Sequence, residues 1–417
     1  MLPINDRDID LNRALTVILV TLLLDAVGMS LIFPILPGLL RELAGAEATN
    51  HHYGALMAAY AAMQFLFSPV LGALSDRFGR RPVLLVSLAG AAADYVLMAL
   101  APNMAWLYVG RVLSGITGAS MAVGTAYLTD ITPEADRAKR FGQMGAAMGL
   151  GFVVGPLIGG AFGEWSLRAP FVAAAVMNAL NLALAWFALP ESNQHRTTRL
   201  ELTKLNAFSS LHRLEGKPAL LPLVGVFAVV ALVSQVPASL WILYGQDRYG
   251  WSTWVAGLSL ACYGGLHAVS QAFVTGPMVE RLGERRALLA GIVADALGFI
   301  GMGVATVGWM PFALLPLFAI GGLTLPALQA MQSRQVDEQH QGELQGTLTS
   351  LTSLIGVAGP LVVTAGFAAT QSSWPGCAWI VAALLYSLTL PPLFSRRARG
   401  AQKSGLLRRP ALTRPRL

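Results

Sequence analysis

Of the 417 residues, 55% are apolar and only 12% charged, and the mean hydropathy is +0.58. A soluble fold carries about 25% charged residues, so the chain has too little polar material to cover a water-facing surface and reads as a membrane protein. The formal charge of +7 would suggest nucleic acid only on a soluble surface, and the two cysteines, Cys262 and Cys377, lie in apolar runs, which excludes a disulfide scaffold or a cysteine metal cluster.

The polar opening MLPINDRDIDLNR precedes an apolar run that lacks a small-residue cleavage site, so that run reads as a permanent first span. A crossing helix needs about 20 apolar residues. Continuous apolar stretches place twelve such spans, near 14–36, 53–74, 83–101, 104–128, 141–163, 167–189, 219–243, 254–279, 287–306, 309–332, 344–369 and 374–395. The expected fold is an all-α membrane protein of twelve transmembrane helices in two pseudo-symmetric six-helix halves, 1–189 and 219–395. A polar linker at 190–218 joins them, and a basic tail follows at 396–417.

Lysine and arginine set the orientation. With both termini cytoplasmic, the inward segments hold 25 of the 29 basic residues, and the outward loops hold only Arg41, Arg168 and Arg248. Trp106, Trp165, Trp251, Trp254, Trp309 and Trp374 fall at predicted outer ends, as an aromatic belt would place them. Eight of the basic residues lie in the tail, which contains no acid, so the remainder of the chain is nearly neutral. Such a tail suits anionic lipid head groups better than nucleic acid.

The halves repeat each other at one offset. GALSDRFGRRPVLL at 72–85 aligns with GPMVERLGERRALL at 276–289, 204 positions on, and the same offset carries Gly155-Pro156 onto Gly359-Pro360. Two parallel halves around a central cavity is the geometry of a secondary transporter. No phosphate-cradling glycine loop, paired helical histidines or nucleophile elbow is present, so the chain reads neither as an enzyme nor as an ATP-driven pump.

Charges inside the spans carry the chemical signal, because each costs about 2.5–3.5 kcal/mol to insert and so tends to serve a function. Asp25, Asp94, Arg111 and Asp295 qualify. Asp94 and Arg111 lie level on consecutive antiparallel helices, about 10 Å below the outer surface, where an ion pair alone would explain both. Asp25 and Asp295 have no obvious cationic partner, and a buried carboxylate free of cations is the better carrier of a proton. His267 is a second titratable candidate, set against the plainer role of a hydrogen-bonded bundle residue. Gln64 and Gln271 either line a substrate path or bond helix to helix.

In the loop after the second span, Asp76, Arg77, Arg80 and Arg81 either hold topology by positive charge or form a gate whose bonds break as the halves rock. In the fifth span, GFVVGPLIGG sets Gly151, Gly155, Gly159 and Gly160 along a helix that Pro156 bends, which permits close helix approach.

The loop at 72–85 and the helix at 151–160 resemble signatures of the major facilitator superfamily and of its drug:proton antiporters. LDAVGMSLIFPILPGLLREL, GRVLSGITGA, LPES, VPASLW, RLGERRAL and PALQAMQSRQVDEQHQGELQG are similar to stretches of the bacterial tetracycline efflux proteins. The resemblance implies an inner-membrane exporter of tetracycline chelated to a divalent cation such as Mg2+, in exchange for a proton, with no permanently bound metal or cofactor. It further implies that Asp25, Asp94 and Asp295 match the family's essential intramembrane acids, Arg111 its fourth-helix arginine, His267 its eighth-helix histidine, and Asp76 and Arg80 its gating-loop residues. GQDRYGWSTW at 245–254 departs from the family pattern. A proton antiporter for other amphipathic drugs, an uptake symporter and a non-transporting membrane receptor are the other readings.

Overall fold

A computed structural model describes residues 6–193, 220–336 and 340–394. Most of the expected linker and the whole basic tail fall outside those residues. The described chain is helical throughout and contains no strand. Eleven helices are long and apolar enough to cross a membrane. The expected span near 254–279 is not among them; its first helix is only 17 residues long. Helix Thr253–Val269 runs into a π turn, Ser270–Val274, and continues as Thr275–Leu282. An inserted residue of this kind shifts the side chains beyond it around the helix axis and is frequent at functional sites.

The first span ends at Leu31, short of the expected 36, and after a turn the chain forms a separate helix, Leu36–Ala44. Three further spans are divided. The fourth consists of Met104–Thr117 and Ser120–Ile131, the tenth of Met310–Gly321 and Thr324–Ser333, and the twelfth of Cys377–Leu385, the 3-10 turn Tyr386–Thr389 and Leu390–Phe394. The breaks of the fourth and tenth fall at Gly118 and Gly322, which are 204 positions apart, so the repeat extends to the defects in the helices as well as to their sequence.

Packing at the glycine-rich fifth span, Arg137–Gly163, follows from the absence of side chains. Gly151, Gly155 and Gly159 lie against Ala26, Ser30 and the backbone of Leu31 on the first span. Ser30 Oγ donates to the Gly151 carbonyl at 3.1 Å. Gly160 lies instead against Thr253 and Gly257 of the other half. The eleventh span, Gln341–Thr370, makes the corresponding contact, its Pro360 carbonyl facing Gly54 of the second span, Ala46–Phe78. Each glycine-proline helix therefore joins the halves, since a neighbouring backbone can approach only where no Cβ intervenes.

The cores of the two halves differ. In the second, one cluster runs from Leu220 to Leu393 around Trp241, Tyr244, Phe318 and Trp379. In the first, two apolar clusters sit at opposite ends, one around Ile35, Tyr53 and Phe171 and the other around Ile18, Leu84 and Tyr127. Between them lie the buried polar residues Thr21, Asp25, Asp94, Arg111, Asn178 and Asn181. Trp251 departs from the expected aromatic belt. It is 8% exposed, donates from Nε1 to the Gly308 carbonyl at 3.1 Å, and packs on Tyr249 and Phe312. Trp165 and Trp309 remain exposed, as the belt requires.

Candidate functional site

The polar layer of the first half is assembled from five spans. Asp25 comes from the first, Tyr60 and Gln64 from the second, Asp94 from the third, Arg80–Leu100, Arg111 from the fourth, and Asn178 and Asn181 from the sixth, Ala169–Ala188. Arg111 pairs with Asp94, the ion pair their level placement suggests. The guanidinium also donates to Met98 Sδ at 3.1 Å and lies 5.6 Å from the centre of the Tyr60 ring. Gly110 leaves the space that Asp94 Oδ1 occupies. Asp25 is buried, and the Ser120 hydroxyl is the polar neighbour of its carboxylate. Tyr60 lies within electrostatic reach of Asp25, Asp94 and Arg111 together.

In the second half, Asp295 on the ninth span, Glu284–Val304, accepts a hydrogen bond at 3.1 Å from the hydroxyl of Tyr386. Its other oxygen abuts Gly321. Tyr263 lies within electrostatic reach of Asp295 and stacks on His267, with ring centres 6.0 Å apart. His267 is half-buried, its ring lies against Gly322, and its Nδ1 has no partner among the described residues.

Gln64 and Gln271 occupy matching roles. Gln64 donates to the Gly118 carbonyl at 3.3 Å, and Gln271 to the Gly322 carbonyl at 2.8 Å. These are the two helix breaks, where an unwound carbonyl needs a donor because lipid supplies none. The geometry thus provides the helix-to-helix alternative for both glutamines, and Gln271 also lies 3.5 Å from His267 Nε2.

At the end of the bundle that carries the 77–81 loop, Arg80 donates from Nε to Asp130 at 3.0 Å and from Nη1 to Ser75 at 2.7 Å and to Asp76. Arg81 donates to the Trp186 carbonyl, and Arg77 lies over the Phe78 ring at 5.2 Å. Glu191 closes the turn by accepting from the amide of Arg80 at 2.8 Å and that of Arg81 at 3.3 Å. Gly79, at φ 111, stands so close that a Cβ would strike this carboxylate. None of these bonds reaches the second half. The second half repeats the pairing with reversed charge, because Arg334 meets Glu284 at 2.7 Å. These two residues are the 204-offset counterparts of Asp130 and Arg80.

Bonds between the halves cluster at the opposite, far end. Arg41 pairs with Asp247, and Gln246 donates to the Pro34 carbonyl at 2.8 Å. Glu164 accepts from the Trp254 amide at 2.8 Å and from the Thr253 hydroxyl at 2.9 Å, and Asn50 donates to Gln371 at 2.7 Å. The Trp254 amide, followed by the Thr253 hydroxyl, holds the Glu164 carboxyl below its ordinary range. Gln246, Asp247, Thr253 and Trp254 all belong to the segment 245–254.

Sequence reasoning does not mark Asp130, Glu191, Asp247, Tyr60 or Tyr386, and it counts Arg41 only among the outward basic residues. The LPES stretch carried a trace of Glu191, and the 204 offset relates Asp130 to Arg334. A tyrosine in a hydrophobic span carries no such mark.

The chain matches the Major Facilitator Superfamily over residues 18–271 and 255–415. It is 54% identical to the tetracycline resistance protein, class C, of Escherichia coli, covering 92% of this chain and 96% of that one. It is 51% identical to the class G protein of Vibrio anguillarum, covering 89% and 94%. The chain belongs to the Major Facilitator Superfamily, among its tetracycline resistance proteins. Solved transporter structures share the fold. The human organic anion transporter MFSD10 superposes with a TM-score of 0.68 at 22% identity, over 92% of this chain and 99% of that one. A point mutant of the nucleoside transporter NupG superposes with a TM-score of 0.74 at 12% identity, over 91% and 100%. Among the described residues no three His, Cys, Asp or Glu side chains are grouped as a metal would need.

Proposed function

We propose that this Major Facilitator protein is a proton-coupled antiporter that exports tetracycline, as its chelate with a divalent cation such as Mg2+, across a bacterial inner membrane and thereby confers resistance. The observation that carries the reading is the 54% identity to the class C tetracycline resistance protein over 92% of the chain. The basic end and both termini face the cytoplasm, so the end joined by Arg41, Asp247 and Glu164 faces outward. The metal travels as part of the substrate, no cofactor is required, and no bond of the substrate is broken.

The buried acids supply a physical basis for coupling. A proton and a cationic metal–drug complex compete for the same carboxylates, and a site that cannot hold both makes their exchange obligatory. Asp25 and Asp295, one in each half and neither paired to a cation in the described bonds, are the proton and substrate acids. The Arg111 guanidinium balances the charge of Asp94 in the first half, and Tyr263, stacked on His267, lies within electrostatic reach of Asp295 in the second. The 77–81 loop gates the cytoplasmic end.

Uptake of labelled tetracycline into everted membrane vesicles under an imposed proton gradient, with and without Mg2+, tests the reading. Accumulation that needs both is expected. Accumulation that ignores the gradient or the metal would overturn the coupling or the substrate assignment respectively, and accumulation of unrelated amphipathic drugs in its place would make the protein a broader antiporter.

A further inference from the structure

Within that reading, the twelfth span contains a group with a specific task. We propose that Tyr386 is a positioning residue for Asp295, holding one carboxylate oxygen through its hydroxyl so that the acid presents a fixed face to its proton. The inference rests on Asp295 acting as a proton-coupling acid.

Three observations carry it. Tyr386 begins a 3-10 turn that interrupts an otherwise helical span, and a tighter turn re-aims the side chain it carries. The hydroxyl reaches Asp295 Oδ2 at 3.1 Å, across 91 positions of sequence. The Tyr386 ring is 4% exposed and stacked on Phe299, with centres 6.1 Å apart and planes 13° from parallel, so it cannot swing away without losing that contact. Phe299 stands four residues after Asp295, one turn along the same helix, so a single span provides both the acid and the surface that fixes its donor.

On its other side Asp295 Oδ1 fills the space above Gly321, beside the break of the tenth span at Gly322. The carboxylate is thus held between a hydroxyl donor and a glycine at a helix defect. A change in its protonation would be felt both at the twelfth span and at the break that Gln271 caps.

A hydroxyl that donates to a carboxylate favours the ionised form, so its removal favours the protonated one. In Tyr386→Phe the ring and its stacking remain and only the donor is lost. The test is infrared titration of the full-length protein in lipid, following the protonated-carboxyl band that disappears in Asp295→Asn. This readout needs neither drug nor gradient. The band's half-titration in Tyr386→Phe is expected about one pH unit higher than in the parent, and the pH profile of vesicle transport should move the same way. The double variant Asp295→Asn, Tyr386→Phe should titrate like Asp295→Asn alone. If Tyr386→Phe does not fold, a fluorinated tyrosine installed at 386, a stronger donor, should move the band to lower pH. An unmoved band in either variant overturns the positioning role. A moved band with no proton-driven transport in the parent leaves Tyr386 in place and overturns the coupled-export reading instead.

Discussion

Gly257→Ala perturbs a close backbone approach between the two halves. A Cβ there would land on the carbonyl oxygen of Pro156, with the carbonyl carbon at 3.1 Å and Gly160 Cα at 3.2 Å. Every atom it meets is backbone, so no side chain can rotate aside and the fifth and eighth spans must separate. Overpacking of this kind costs about 1–3 kcal/mol. Rocking of the halves that opens the far end would part these spans, so the penalty falls on the conformation described here and should shift the equilibrium towards an open far end by about 5- to 150-fold. Distances between spin labels placed at the far ends of the two spans would show a larger open population. Gly149→Ala, on the fifth span with nothing within 4 Å, is the matched control and should leave the distances unchanged. The reasoning fails if Gly257→Ala gives the parent's distance distribution, or if Gly149→Ala shifts it equally.

Three further outcomes are expected. Asp94→Asn strands the buried Arg111 guanidinium and should lower stability by about 3–5 kcal/mol, whereas Asp94→Asn with Arg111→Leu should regain most of the loss. Thermal unfolding in detergent checks this, and equal losses in the two would remove the ion pair from the account. Gly79→Ala combines a left-handed backbone, φ 111, with a Cβ driven at Glu191, and should cost about 1–3 kcal/mol, while Gly72→Ala, in open space, should be neutral in the same measurement. Glu164 bonds to Trp254 and Thr253 as a carboxylate, and its proton affinity is depressed by them. This part of the far-end closure is therefore fully present above the ordinary glutamate range and is lost only as pH falls through the lowered value. Spin-label distances should be flat from neutral pH to mildly acidic pH and open below it. Glu164→Gln should abolish that acid step, and a step that persists would assign it to another group.

Some of the site is legible without coordinates because it depends on properties each residue carries alone. A charge inside an apolar run is costly wherever it points, so Asp25, Asp94, Arg111 and Asp295 stand out in a linear reading. The 204 offset located the duplicated loop and, followed further, relates Asp130 to Arg334 and Gly118 to Gly322. It does not reveal that the Arg80–Asp130 pair returns with its charges exchanged, because complementarity belongs to two positions together. Gln64 and Gln271 read as ligand-binding or helix-binding with equal ease until the carbonyls of the helix breaks appear beside them. Trp251 illustrates the opposite error. Its position at a span end fits an interfacial belt, yet Gly308 and Gly245 leave a recess that the ring fills.

Hydropathy sufficed to specify a bundle of membrane-spanning helices, and the 204-residue offset its two-fold repeat, since insertion into a bilayer depends on composition over about 20 residues and not on partners. Which group each buried charge meets was decided by helix rotation and crossing. Asp94 received an arginine, Asp25 a serine and Asp295 a tyrosine because local breaks at Gly118, Gly322 and Tyr386 and close approaches at glycine turned those faces toward one another. A hydrogen bond depends on distance and angle to within a fraction of an ångström, and residues 91 positions apart come within that range only when the whole bundle has packed.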